Sequence, residues 1–265
     1  MNNLFSQSCC DENSATSRMA SLSNDKSFVD AHPVPLEFHL TDGKGKMITF
    51  KTDDGVDANG YEVKSDKETK NWVFVFHEWY GLNDYIKKEA DEIAFTLGNV
   101  NVLAIDLYDG KVAANNEEAS KYVKEVTKER ALTIINGAKG YAGSDAVFGT
   151  LGWCFGGAWS LQAAIELGSS CNACVVYYGM PEQDMTRLAM LKAPVVGIFG
   201  KQDAHITPEI ANKFKDDLAS LNIPADIYIY DAVHAFANPS NPKHDPEAAK
   251  DAKEKVYAFL KSNLK

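Results

Sequence analysis

No long apolar run occurs in this chain. Purely apolar stretches reach only about five residues, as over 72–76, whereas a bilayer-spanning helix needs about 20. Excess positive charge is also missing. Lys and Arg number 27 against 37 Asp and Glu, a net charge of −10, and no basic cluster stands out. These features argue against a membrane, or a nucleic acid, as partner. Cysteine is scarce: five residues, at 9, 10, 154, 171 and 174, an odd count with a long gap that does not make a disulfide framework. Cys171 and Cys174 form a C-x-x-C, but no second Cys or His pair stands nearby at zinc-ligand spacing, so neither a metal nor an organic cofactor is expected. We read the two as small buried residues leading into a strand, with a redox pair as the alternative. What remains, 265 residues with 45% apolar and 24% charged, is the composition of an ordinary globular protein with room for a large core.

Residues 1–35 are rich in Ser, Asn and Asp and end in the His-Pro-Val-Pro of 32–35. Such a stretch is expected to be a disordered or extended tail, because it carries too little apolar surface to order itself. The few residues before Cys9 and Cys10 include no apolar signal-peptide region as written. A reduced, reactive thiol in the body of the chain would suit a cytoplasmic protein, which is the expectation, with an exported or lipid-anchored precursor as the alternative. No repeat is visible, and residues 36–265 are expected to form one domain, a monomer or small homo-oligomer.

From residue 36 onward two patterns alternate. Short runs over 72–76, 102–105, 146–151, 174–178, 195–199 and 227–230 are continuously apolar, as parallel strands covered on both faces are. Segments over 84–97, 116–136, 156–167, 208–221 and 246–260 carry apolar residues at three- and four-residue spacing, with Pro208 and Pro246 in first-turn positions. Two antiparallel strands are expected ahead of them, near 47–50 and 56–63. The alternation predicts an α/β class, a doubly wound, mostly parallel sheet flanked by helices. Ligands of such sheets bind at the carboxyl ends of the strands, which directs attention to the loops there.

One of those loops reads Gly152-Trp153-Cys154-Phe155-Gly156-Gly157 between a strand and a helix. This is the context of a nucleophile elbow, G-x-S-x-G, with cysteine in place of serine. Glycines two residues before and after leave room for the neighbouring strand and helix. The helix N-terminus should lower the thiol pKa from about 8.5. A tight turn whose Cys154 merely packs is the competing reading. A nucleophile needs a base, and the base an orienting carboxylate, in the chain order nucleophile, acid, histidine. Asp203 follows the run at 195–199, and His234 follows the run at 227–230. His205 and His244 are rival bases, and Asp231 is the rival acid. The loop after 72–76 reads His77-Glu78-Trp79-Tyr80-Gly81-Leu82-Asn83. Its position suits an oxyanion-hole N–H from one of residues 78–80, the other coming from Phe155. Glu78, beside a thiol, could hold or accept a proton, or be a solvated loop charge.

HEWYGLN at 77–83, DLY at 106–108, GWCFGG at 152–157, GKQD at 200–203 and HAFANP at 234–239 together resemble the dienelactone hydrolase (carboxymethylenebutenolidase) family, over roughly residues 45 to 262. The resemblance implies an α/β-hydrolase fold and hydrolysis of an ester or lactone by a Cys-His-Asp triad. By motif, Cys154 would be nucleophile, His234 base and Asp203 its partner, with the Phe155 and Trp79 amides as oxyanion hole. It further implies that Glu78 hydrogen-bonds the resting thiol. The family's two arginines that bind a substrate carboxylate are replaced here by Gly110 and Asn238, and Lys111 cannot supply a bidentate clamp. A small ester or lactone lacking that carboxylate is therefore expected, against Tyr80, Trp153, Phe236 and Asn238. Alternatives are a promiscuous thioesterase, aryl- or phosphoesterase on the same triad, or a non-catalytic binding protein on this scaffold.

Overall fold

The computed structural model describes residues 14–265. Cys9 and Cys10 lie outside the described residues. Eight strands form one sheet: β1 (Lys46–Phe50), β2 (Ala58–Val63), β3 (Asn71–Phe76), β4 (Asn101–Ile105), β5 (Val147–Trp153), β6 (Cys171–Tyr177), β7 (Val195–Gly200) and β8 (Ala225–Tyr230). Their order is β1-β2-β4-β3-β5-β6-β7-β8. The β1–β2 and β2–β4 pairs are antiparallel, and every later pair is parallel. β3 and β4 are buried along their whole length, which is why they read as unbroken apolar runs rather than as alternation.

The helices are α1 (Ala15–Ser21), α2 (Lys26–Asp30), α3 (Asp84–Leu97), α4 (Asn116–Glu125), α5 (Lys128–Ala142), α6 (Phe155–Leu167), the short α7 (Met185–Leu188), α8 (Pro208–Ser220) and α9 (Pro246–Asn263). Among the described residues no helix is long and apolar enough to cross a membrane. Asn83 caps α3 by accepting from the Ile86 N–H, and Gly98 ends it in the left-handed region. Register brings Phe76 opposite Gly152, Trp153 opposite Tyr177, and Gly200 opposite Tyr230. The loops leaving β3, β5, β7 and β8 therefore open on the same edge of the sheet.

Two expectations are corrected. The segment 116–136 is not one helix. The chain turns extended at Val126, and the Thr127 hydroxyl starts α5 by accepting from the Arg130 N–H. More consequentially, residues 14–32 are not a tail. The Ser14 hydroxyl caps α1, and the Asp25 carboxylate caps α2 through the Ser27 and Phe28 N–H groups. Met19 and Phe28 are 1% and 0% exposed. The Arg18 guanidinium donates to the Pro181 carbonyl oxygen at 2.6 Å. A segment this polar cannot make its own core, but it needs only a few apolar side chains to dock in a cleft that the sheet already supplies. Average composition is blind to that arrangement.

Candidate functional site

β5 runs into α6 through Cys154, whose backbone holds φ 55° and ψ −115°, a region L-residues avoid. The flanking glycines are required by contact. A Cβ on Gly152 would lie 2.1 Å from the Gly156 carbonyl oxygen, and one on Gly156 would lie 2.2 Å from that of Phe76. The Cys154 N–H donates to the Tyr177 carbonyl, which ties the bend to β6. Strand, bend and helix thus project the sulfur over the first turn of α6, and the Phe155 N–H there acts on it. The helix end does not set the thiol pKa as expected. Cys154 is 0% exposed, and burial pushes the thiol up, against the pull of His234 and the Phe155 N–H.

The loops after β7 and β8 place Asp203 and His234 together. His234 Nδ1 and Asp203 Oδ2 are 2.5 Å apart, and both side chains are buried. The other Asp203 oxygen accepts from the His205 and Ile206 N–H groups, each at 2.9 Å. Burial would raise the Asp203 carboxyl, but the His234 ring and these amides outweigh it and hold it at about 2. Burial likewise opposes charge on His234, yet Asp203 and the Cys154 sulfur bring its pKa well above the ordinary imidazole value. His234 Nε2 is buried with no hydrogen-bond partner. The rivals lie elsewhere: Asp231 is exposed beside Gln202, His205 faces Ser27 of α2, and His244 lines a separate cavity.

A second imidazole, which sequence reasoning placed in the tail, reaches the same sulfur. His32 Nε2 lies 3.4 Å from Cys154 Sγ, while its Nδ1 donates to the Phe28 carbonyl at 2.7 Å. Burial and the neighbouring His234 depress its pKa to about 3, so it is neutral at neutral pH. One ligand atom each of His32, Cys154 and His234 lies within 4.8 Å of the others, which makes this the cluster best suited to a thiophilic cation among the described residues. The only sequence signals were the Asp25 cap and the Phe28-Val29 pair ahead of His32.

Glu78 is buried, but its oxygens accept from the Asn238 amide at 2.7 Å and the Tyr178 hydroxyl at 3.3 Å rather than from the thiol. Burial raises its carboxyl to about 7, although both hydrogen bonds oppose the shift. The folded state therefore keeps a proton that the unfolded chain, near the usual 4.5, releases. The resulting stability is present at low pH and lost as pH rises through 7. Glu78→Gln should remove that slope. The stability of the variant relative to wild type should rise by about 3 kcal/mol between pH 4.5 and pH 8 in urea titrations, and equal slopes in the two proteins would refute the assignment.

Trp79 and Tyr80 are held by one side chain that was not anticipated. Asn116 Oδ1 accepts from Trp79 Nε1 at 3.2 Å and lies 2.5 Å from the Tyr80 hydroxyl, while its amide donates to the Val29 carbonyl. The Tyr108 hydroxyl fixes the Trp79 carbonyl at 3.1 Å. Beside this loop lies a cavity of about 370 Å3 whose lining includes Glu78, Tyr80, Trp153, Tyr177, Asn238 and Lys253. Phe236 does not line it; its ring is fully buried against Tyr178 and Tyr230. Lys111 pairs with Glu125 on the surface, and the Gly110 N–H is held by Asp106. Cys171 and Cys174 are free and buried in β6, and burial raises both thiols, Cys174 to about 12.

Known proteins resemble this chain over most of its length. A protein of Aquifex pyrophilus named "Protein usf" is 26% identical over 247 residues, covering 83% of this chain and 99% of its own. One of Aquifex aeolicus, named as a candidate carboxymethylenebutenolidase, is 25% identical and covered over its whole length by 83% of this chain. Among solved structures, a dienelactone hydrolase-like promiscuous phosphotriesterase from metagenomic libraries superposes with a TM-score of 0.69 at 22% identity, covering 84% of this chain and 100% of that one. That likeness concerns the fold, which is α/β-hydrolase. With the family model matching residues 58–264, from β2 to the end of α9, the chain belongs to the dienelactone hydrolase family.

Proposed function

We propose that the chain is a cysteine-dependent hydrolase of small carboxylic esters or lactones. The observation that carries this reading is the unpartnered, buried Nε2 of His234, which faces the Cys154 sulfur while Nδ1 is committed to Asp203. An imidazole whose Nδ1–H is held by a carboxylate keeps Nε2 for the proton that the thiol gives up.

In the reaction, His234 Nε2 takes the proton from Cys154, and the thiolate attacks the ester carbonyl carbon. The carbonyl oxygen becomes an oxyanion that accepts from the Phe155 and Trp79 amides. Each such donor contributes on the order of 3 kcal/mol at the transition state. The tetrahedral intermediate collapses, and the alkoxide leaves with the proton from His234. Water then attacks the thioester, delivering its proton to His234, and the acid departs as the thiol is restored. Asp203 stabilises the imidazolium in each half-reaction.

The absence of an arginine pair, and the commitment of the Asn238 amide to Glu78, favour substrates without a free carboxylate. Tyr80, Trp153 and Tyr177 offer apolar walls for the acyl or alcohol part. The test is p-nitrophenyl acetate in a stopped-flow mixer. A burst of p-nitrophenolate equivalent to one Cys154 per chain, followed by steady turnover, is expected. Neither burst nor turnover with p-nitrophenyl esters or neutral lactones would leave a binding role on this scaffold.

A further inference from the structure

The candidate nucleophile is sealed. Cys154 is 0% exposed and does not line the 370 Å3 cavity. What covers it is the N-terminal segment. The Phe28 ring packs on His32, Trp79, His205 and His234 at centroid distances of 4.4, 5.6, 5.1 and 5.5 Å. The His32 ring lies 5.1 Å from both Trp79 and His234. Its Nε2 sits 3.4 Å from the sulfur. A substrate carbonyl would have to stand between the sulfur, the His234 ring and the Trp79 amide, and that space belongs to His32. The void left between His32, Glu78 and Trp79 is about 10 Å3, about the room a single water needs.

We propose that residues 15–33 are a displaceable plug, in which His32 accepts the hydrogen bond of the resting Cys154 thiol and must withdraw before an ester can reach it. The proposal rests on Cys154 being the nucleophile. Its attachments suit reversible docking. Its larger apolar anchors, Met19 and Phe28, seat in the body, and its polar ties are isolated contacts: Arg18 to the Pro181 carbonyl, Asp25 and Ser27 to His205, Asn116 to the Val29 carbonyl, and the His32 carbonyl 2.7 Å from the Tyr80 hydroxyl. None of these ties belongs to the sheet ladder. The segment can therefore leave while the sheet stays paired. Withdrawal would join the sulfur to the neighbouring cavity through the wall now formed by Glu78 and Tyr80, residues that border both spaces.

The experiment is iodoacetamide labelling of the full chain, read separately at Cys154, Cys171 and Cys174 by peptide mass spectrometry. All three thiols are buried, so the two in β6 report opening of the sheet itself. In wild type, Cys154 should label at least tenfold faster than Cys171 and Cys174. In Phe28→Ala it should label at least tenfold faster again, with the β6 thiols unchanged. If Phe28→Ala is unstable, all three rates will rise together, and Asn116→Ala, which removes only the tie to Val29 and the contacts to Trp79 and Tyr80, provides the second reading. Common rates for the three thiols in wild type and in both variants would overturn the plug, as would wild-type Cys154 labelling at the rate of a free thiol. Turnover of p-nitrophenyl acetate in the same samples separates the two ideas. Faster labelling with no turnover keeps the plug and removes the hydrolase reading. Turnover with Cys154 labelling no faster than the sheet thiols does the reverse.

Discussion

Cys154→Ala is expected to lower p-nitrophenyl ester turnover by about a millionfold, the scale on which triad hydrolases lose rate with their nucleophile. The residue left behind could still bind ester and offer the oxyanion amides, so a small residual rate over buffer is expected, but no burst. Cys154→Gly should be equally inactive and yet more stable than the alanine variant by about 1–3 kcal/mol, because φ 55° and ψ −115° strain any side chain and suit glycine. The pair of variants separates two properties of one position. Strain holds the sulfur forward, and relieving it stabilises the protein at the expense of the nucleophile. Unchanged turnover in either variant would end the proposed mechanism. A glycine variant less stable than the alanine one would instead show that the contacts of Cβ and the greater freedom of glycine in the unfolded chain outweigh the backbone strain.

Asp203→Asn should reduce turnover by about 10³- to 10⁴-fold with little loss of stability. The asparagine Oδ1 can still accept from the His205 and Ile206 N–H groups, so the loop after β7 keeps its shape. Its amide, however, would donate to His234 Nδ1 and move the ring proton to Nε2, where it faces the thiol with no lone pair to take its proton. The charge that sustains the imidazolium is lost as well. The carboxyl lies at about 2, so wild type should keep this advantage down to strongly acid pH, and its rate against pH should show no limb from Asp203 above pH 4. A variant retaining a tenth of the wild-type rate would show that His234 is oriented by something other than this bond.

Much of this architecture is legible without coordinates. β3, β4 and β5 announce themselves as apolar runs because both faces are covered, and α3, α8 and α9 as periodic segments with caps or first-turn prolines. Gly152 and Gly156 mark the bend because no other residue fits beside the Gly156 and Phe76 carbonyls. Asp203 and His234 could be paired across the chain because each follows its own buried strand. Chain order allows Asp231 as well as Asp203, and only the latter follows a strand of its own; the structure brings Asp203 onto His234 at 2.5 Å while Asp231 is exposed.

Three features lay beyond that reading, each for a physical cause. The helix dipole suggested a lowered thiol pKa, but a dipole is local, whereas the depth of the sulfur depends on everything packed over it. Phe236 looked like a pocket aromatic, and only packing shows its ring turned to the core. The N-terminal segment looked unable to order itself, which is true of the segment taken by itself. Its helices exist because the finished sheet offers Phe28 and Met19 a place to bury.

The succession of strands and helices along the chain, the bend that carries the sulfur and the succession of acid and imidazole are local properties, written in apolar runs, glycines and spacing, and these the chain determines residue by residue. Which groups crowd the sulfur, how far it lies from water, and that residue 32 rather than residue 78 meets the resting thiol were decided only when distant segments docked. Burial and contact between segments far apart in the chain belong to the packed whole, and no stretch of sequence contains them.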